Sequence, residues 1–284
     1  MTKTVAYTFL ALIAFAGNSI ICRMALKETD ITPALFTILR LLSGAIVLML
    51  IVLIKAKPGK QQSKGSWISA SMLFIYAAAF SFAYVSLETG TGALILFGVV
   101  QITMISHSLF SGNKMTLWEW LGVCMALCGF FYLMLPGAQS PSLSGFILMC
   151  LSGIGWGMYS ILGKTAKNPL EDTAYNFLRT VPFLVLLIYF LFQESGFSSS
   201  GILLAVLSGV VTSGLGYSIW YAALKGLSTL QASVVQLLVP VFAGLGGTIL
   251  LNEAMSFQLL LSALLILGGI LLLILKKSRL KKNS

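Results

Sequence analysis

Residues 221–274 read YAALKGLSTLQASVVQLLVPVFAGLGGTILLNEAMSFQLLLSALLILGGILLLI. Two long apolar runs flank a short polar turn at Asn252 and Glu253, and neither run alternates. An unbroken apolar run of about 20 residues is what a helix needs to cross the hydrocarbon of a bilayer. In the first run Thr229, Ser233, Gln236 and Pro240 recur at helical spacing, so they form one polar stripe. Pro240 lacks a backbone donor and predicts a kink, a candidate hinge, in that helix.

The same texture extends through all 284 residues. Fifty-eight per cent are hydrophobic and 9% are charged, with mean hydropathy +0.96. A soluble domain carries about 25% charged residues to face water, so the solvent expected here is lipid. Ten apolar spans are predicted, over 5–26, 33–54, 67–87, 90–110, 116–135, 143–162, 173–192, 200–222, 228–251 and 257–275. Lipid offers backbone groups no partners, so helices are expected. The alternating segments of a β-barrel are missing. The first span is too long for a cleaved signal, and nine more follow it. The expected fold class is therefore an all-α integral membrane protein.

Charge gives an orientation. With the amino terminus inside, Lys3, Lys55, Lys57, Lys60, Lys64, Lys114, Lys164, Lys167 and Lys225 fall in inner segments. So does the tail with Lys276, Lys277, Arg279, Lys281 and Lys282, while the outer loops hold only Lys27. The positive-inside rule then places both termini in the cytoplasm of a multi-pass protein of the cell membrane. The formal charge of +10 is read as topology and as attraction to anionic lipid, not as nucleic-acid binding.

The second half echoes the first at an offset of 139 residues. Arg40 in FTILRLL matches Arg179 in YNFLRTV, Ala93 matches Ala232, and Gly129 matches Gly268. Asn113 and Lys114 match Asn252 and Glu253, and Tyr84 matches Tyr221 after a two-residue adjustment. Five spans in each half make the second half enter from the opposite side. The expected units are 1–137 and 138–284, two inverted five-helix repeats. Inverted repeats suit secondary transporters, because two pseudo-symmetric halves can exchange inward-open and outward-open shapes around one site.

On residues 221–274 the chain resembles the drug/metabolite transporter superfamily, of the type with two EamA domains. The shared features are the aromatic-led eighth helix, the Ser- and Ala-rich ninth with central Pro240, the Asn252-Glu253 turn and the glycine-containing last helix. A weaker copy follows Tyr84, with Gln101 where the ninth helix has Pro240 and Lys114 in place of the usual Glu. The resemblance implies ten helices around a central cavity, and export or import of amino acids, nucleotide sugars, other metabolites or drugs.

Arg40 and Arg179 are intramembrane charges, and such groups are costly enough to be functional candidates as gate or scaffold cations. Gln101, Gln236, Asn18, Trp156, Tyr159, Tyr84, Tyr221 and Ser233 are the substrate-binding candidates. Aromatics with a few amides and hydroxyls suit a semi-polar solute such as an amino acid or a drug-like amine. Tyr76 and Tyr217 belong to the same aromatic set. Gly153 and Gly157 on one span, and Gly209 and Ser213 on another, predict close helix contacts. Every carboxylate falls in a loop or at the end of a span, so none is placed mid-bilayer, and the cysteines and His107 form no ligand pattern, so no cofactor or metal is expected. The expected function is alternating-access transport of a small metabolite, with efflux the favoured direction. A channel or a non-transporting scaffold is the alternative. An intramembrane enzyme fits least, because no nucleophile, base and acid converge.

Overall fold

The computed structural model describes residues 2–55, 63–110, 117–135, 140–164, 166–193, 196–227 and 229–280, and its regular elements there are all helical. They are α1 Thr2–Glu28, α2 Pro33–Lys55, α3 Trp67–Tyr84, α4 Thr89–Phe110, α5 Leu117–Met134 and α6 Leu143–Gly163. α7 Pro169–Thr180 runs through a 3-10 turn, Val181–Leu184, into α8 Val185–Gln193. α9 Ser199–Leu207 runs through a π-helical segment, Ser208–Leu215, into α10 Gly216–Leu224. α11 Thr229–Gln236, α12 Leu238–Leu251 and α13 Phe257–Leu280 complete the chain. Lys57, Lys60, Asn113, Lys114, Lys281, Lys282 and the side chain of Ser233 lie outside the described residues.

Among the described residues, seven continuous helical stretches are long and apolar enough to cross a membrane; Trp120–Met134, Leu238–Leu251 and Phe257–Leu272 are shorter. The polarity is inside out for a water-soluble protein. Phe110 is 93% exposed and Ile54 82%, and Leu117, Phe131, Ile249 and Leu264 are exposed as well, whereas Asn18, Arg40, Gln101 and Gln236 are buried. Lipid reverses the usual cost: apolar side chains face outward freely, and polar ones must find partners within the protein.

Local chemistry explains the interruptions. Pro240 has no N–H for the carbonyl four residues back, and its ring crowds that carbonyl. The helix accordingly breaks at Leu237, next to Gln236. Pro182 sits in the 3-10 turn that follows α7. Replacing Pro240 with alanine is expected to fuse α11 and α12. Hydrogen exchange is the check: the new amide at 240 should be protected, and helix stability should rise by up to about 3 kcal/mol. Rapid exchange at 240 would show that packing, not the proline, breaks the helix.

Helix starts carry oxygen-bearing caps: Ser66 before α3, Ser142 before α6, Asn168 before α7 and Ser198 before α9 each accept a first-turn amide. Glycines set the closest approaches. A Cβ on Gly153 or Gly157 would press on Leu96, Val99 and Thr103 of α4, and one on Gly155 on Met72 and Tyr76 of α3. α6 therefore wedges between α3 and α4, and α1 packs in the corresponding way against the π segment, α10 and α12. α2 packs on α7, α4 on α12, and α5 on α13. Gly129 of α5 meets Ile266 of α13, and Gly268 of α13 meets Met125 of α5. Gln258, at the start of α13, donates to the carbonyls of Tyr132, Leu133 and Leu135 and so caps the end of α5.

Candidate functional site

Arg40 is the centre of the buried polar structure. It is 0% exposed, the eighth residue of α2. Its Nε donates to Ser213 Oγ at 2.9 Å, and its Nη2 to the hydroxyls of Tyr217 at 2.7 Å and Tyr76 at 3.1 Å. The two tyrosine hydroxyls also bond each other at 2.9 Å. The guanidinium carbon lies 5.2 Å from the Tyr76 ring centre and 5.0 Å from that of Phe80, a cation–π arrangement. Among the described residues no carboxylate reaches ion-pair distance of Arg40, and Nη1 is buried without a partner.

Asn18 of α1 extends this network. Its Nδ2 donates to Tyr76 OH at 3.1 Å, and its Oδ1 accepts from Ser208 at 2.7 Å and Thr212 at 3.0 Å, with Ser213 at 3.5 Å. The π segment makes this convergence possible. Bonds from i to i+5 widen the turn, so residues five apart, such as Ser208 and Ser213, come to one face. Gly209 lets that segment touch α2: a Cβ there would run into the Arg40 carbonyl and Ser43.

An aromatic ladder leads from Arg40 to one end of the bundle. Tyr217 packs 4.6 Å from Trp156, Trp156 lies 5.6 Å from Tyr159, and Tyr159 stacks 5.2 Å from Tyr221. Trp156 Nε1 donates to Gln236 Oε1 at 3.3 Å, and Gln236 bonds back to the Ala232 carbonyl. Tyr221 OH donates to the Tyr159 carbonyl at 3.2 Å and forms part of the wall of a vestibule of about 650 Å³. Asp172, Asn176, Lys167 and Lys225 also line it, and both lysines are exposed. Glu171 and Asp172, in the first turn of α7, bind the connector before α3. Ser63 N donates to Glu171 at 2.8 Å, Gly65 N to Asp172 at 3.1 Å, and the Ser63 hydroxyl to Asp172. Gly226 beside Thr4 puts the start of α1 at this same end.

The other end is shut. Asn252 takes the left-handed conformation at φ 51°, which ends α12 and turns Glu253 back into the bundle. Glu253 Oε1 pairs with Arg23 Nε at 3.3 Å, and Oε2 accepts Thr89 N, at the head of α4, at 2.8 Å. Arg23 also donates to the carbonyls of Tyr84 at 2.9 Å and Val85 at 3.0 Å. The Arg23–Glu253 pair thus ties together α1, the end of α3, the head of α4 and the end of α12. Burial, and then the Glu253 carboxylate, push the nearby Glu88 above the ordinary carboxylate range.

The sequence candidates separate accordingly. Asn18, Trp156, Tyr159, Tyr221 and Gln236 join the Arg40 centre and its ladder. Tyr84 stands at the shut end, where its hydroxyl donates to the Thr89 carbonyl at 3.3 Å. Gln101 is fully buried on α4. Pro240 is buried four residues beyond Gln236. Arg179 is not a second Arg40. It is half-buried beside the vestibule end, 5.5 Å over the Trp67 ring, and bonds the Lys64 carbonyl. Asn176 and Phe177 of α7 face inward in its stead. Sequence reading missed the partners of Arg40 on the π segment, the Arg23–Glu253 pair and the inward carboxylate of Asp172. The Asn252-Glu253 turn was the one local signal among them.

Known proteins give the site a context. The model of the EamA-like transporter family matches residues 2–135 and again 143–275. An uncharacterized Pseudomonas aeruginosa protein is 46% identical over 272 residues, 96% of this chain and 94% of that one. The uncharacterized transporter YoaV of Bacillus subtilis is 27% identical, covering 85% of this chain and 87% of its own. A probable amino-acid metabolite efflux pump of Salmonella typhimurium is 24% identical, covering 70% and 73%. One solved crystal structure shares the fold over 99% of both chains, with a TM-score of 0.68 at 18% identity. With both halves matched and the surface apolar, the chain is an integral membrane protein and belongs to the EamA-like transporter family.

Proposed function

We propose that the chain is a secondary transporter that exports a small amino-acid-like or drug-like solute across the cytoplasmic membrane by alternating access. One observation carries this reading: a fully buried polar centre lies between an end held together by the Arg23–Glu253 tie and an end with an open vestibule, from which the Tyr221 and Tyr159 rings separate it. A centre exposed to one side at a time is the requirement of alternating access.

In this reading ten spans form two inverted repeats with both termini in the cytoplasm. The reciprocal Gly129 and Gly268 contacts, and the sequence-matched Tyr84 and Tyr221 at opposite ends, support the inversion. Lys64, Lys167 and Lys225 support the vestibule end as the cytoplasmic one, and in this reading the buried Arg40 centre is occluded, with the vestibule facing inward. The efflux pump among the relatives supports export of amino-acid metabolites.

The test is uptake of labelled amino acids and amine drugs into inverted membrane vesicles that contain the protein. Protein-dependent accumulation supports export, and its absence across the panel removes the proposal. A second expectation concerns the shut end. With Cys124, Cys128 and Cys150 replaced by alanine, the buried Cys22, next to Arg23, reports on access. Glu253→Gln keeps the shape but removes the charge, and is expected to raise labelling by an external impermeant maleimide on the order of tenfold. Unchanged labelling would mean that the tie does not hold this end closed.

A further inference from the structure

We infer that Arg40 is the anchor for a carboxylate on the transported solute. The inference rests on the transport reading and narrows its substrate class.

A guanidinium offers five N–H donors. Nε and Nη2 spend three of them on Ser213, Tyr76 and Tyr217, all neutral hydroxyls. Nη1, fully buried, has no acceptor among the described residues. Among the described residues no acid reaches the cation, although Arg23 in the same bundle has Glu253. A buried charge without a counter-charge is expensive, and a bound anion removes that cost. Nη1 and Nη2 form one edge of the guanidinium, the two-donor fork that matches the two oxygens of a carboxylate. The carboxylate takes the unpartnered donors of Nη1 and competes with a tyrosine hydroxyl for Nη2. Tyr76 and Tyr217 tolerate this, because each hydroxyl has the other as partner.

Charge balance selects the ligand. A carboxylate monoanion neutralises Arg40, whereas a phosphate dianion would leave one uncompensated negative charge in the same buried place. The surrounding Phe15, Phe80 and Trp156 favour an apolar remainder on the solute.

The experiment compares acids with their amides. Purified full-length protein is titrated with each of the twenty proteinogenic amino acids and with short monocarboxylates, alongside the carboxamide of each. Binding is read by fluorescence, with Trp156 and Trp220 beside the site, and by thermal shift. At least one acid is expected to bind, with its amide on the order of 100-fold weaker. Arg40→Met is expected to abolish the difference between them, and Arg40→Lys to keep part of it. An amide that binds as well as its acid, or a panel in which no acid binds, overturns the inference. The wild-type comparison stands even if the variants misfold. Liposome exchange separates the two claims. Acids that bind without being moved uphold the anchor and remove the transport reading. Neutral or cationic solutes that move while acids neither bind nor move do the reverse.

Discussion

Arg40→Met is expected to leave the protein folded and at least as stable as the natural chain, while transport falls on the order of 100-fold. Both halves follow from the same contacts. Methionine fills much of the volume of the arginine stem and removes a buried, unbalanced charge; replacing buried ions by apolar residues of similar size is often neutral or stabilising. The hydroxyls left behind retain partners, since Tyr76 bonds Tyr217 and Asn18, and Ser213 lies 3.5 Å from Asn18. What disappears is the charged donor, and losing a hydrogen bond to a charged group costs about 3 kcal/mol, on the order of 100-fold in rate. Thermal unfolding in detergent together with liposome flux checks both halves. A variant that unfolds readily would make Arg40 a strut for helices α2, α3 and the π segment. A variant that still transports would take the cation out of the cycle.

Gly209→Val is expected to give the opposite result, a fold that fails before any question of transport arises. The Cβ alone collides with the Arg40 carbonyl and with Ser43, and backbone on a packed helix cannot retreat as a flexible side chain can. Overpacking a tight contact costs about 3 kcal/mol at the upper end of its usual range. Here it also displaces the segment that carries Ser208, Thr212 and Ser213 towards Asn18 and Arg40. Gly17→Ala is the control, because a Cβ on Gly17 meets Thr212 of the same segment at an ordinary 3.6 Å. Expression and detergent stability should collapse for the first variant and hold for the second. Equal stability of the two would mean that α2 and the π segment have room to separate.

The helices were legible from sequence because lipid acts on each residue separately. A run of apolar side chains favours burial in hydrocarbon wherever it lies, and the expected ends at Pro33, Trp67, Leu143 and Phe257 coincide with helix starts in the structure. Prolines and caps act over a single turn, which is why Pro240 announced the break at Leu237. The third span was expected to reach residue 87 but stops at Tyr84, where the Arg23 guanidinium occupies the Tyr84 and Val85 carbonyls. The π segment had no such signal; SGVVTSGL contains nothing that distinguishes it from an ordinary small-residue helix face.

The two arginines show where reading along the chain stops. Arg40 and Arg179 occupy matched places in the repeat, yet one lies in a cage of hydroxyls and the other clasps a loop at the edge. Their difference comes from how α7 turns against its neighbours, which depends on contacts with chain segments more than a hundred residues away. Arg23 and Glu253 likewise meet across 230 positions. The sequence by itself determined the solvent, the helical class, the break before Pro240 and the repeat, since each depends on local desolvation, local backbone chemistry or self-similarity. Only the tertiary structure decided which charges are paired, which end is shut and which cation is left waiting, because those depend on distances between helices that no local property sets.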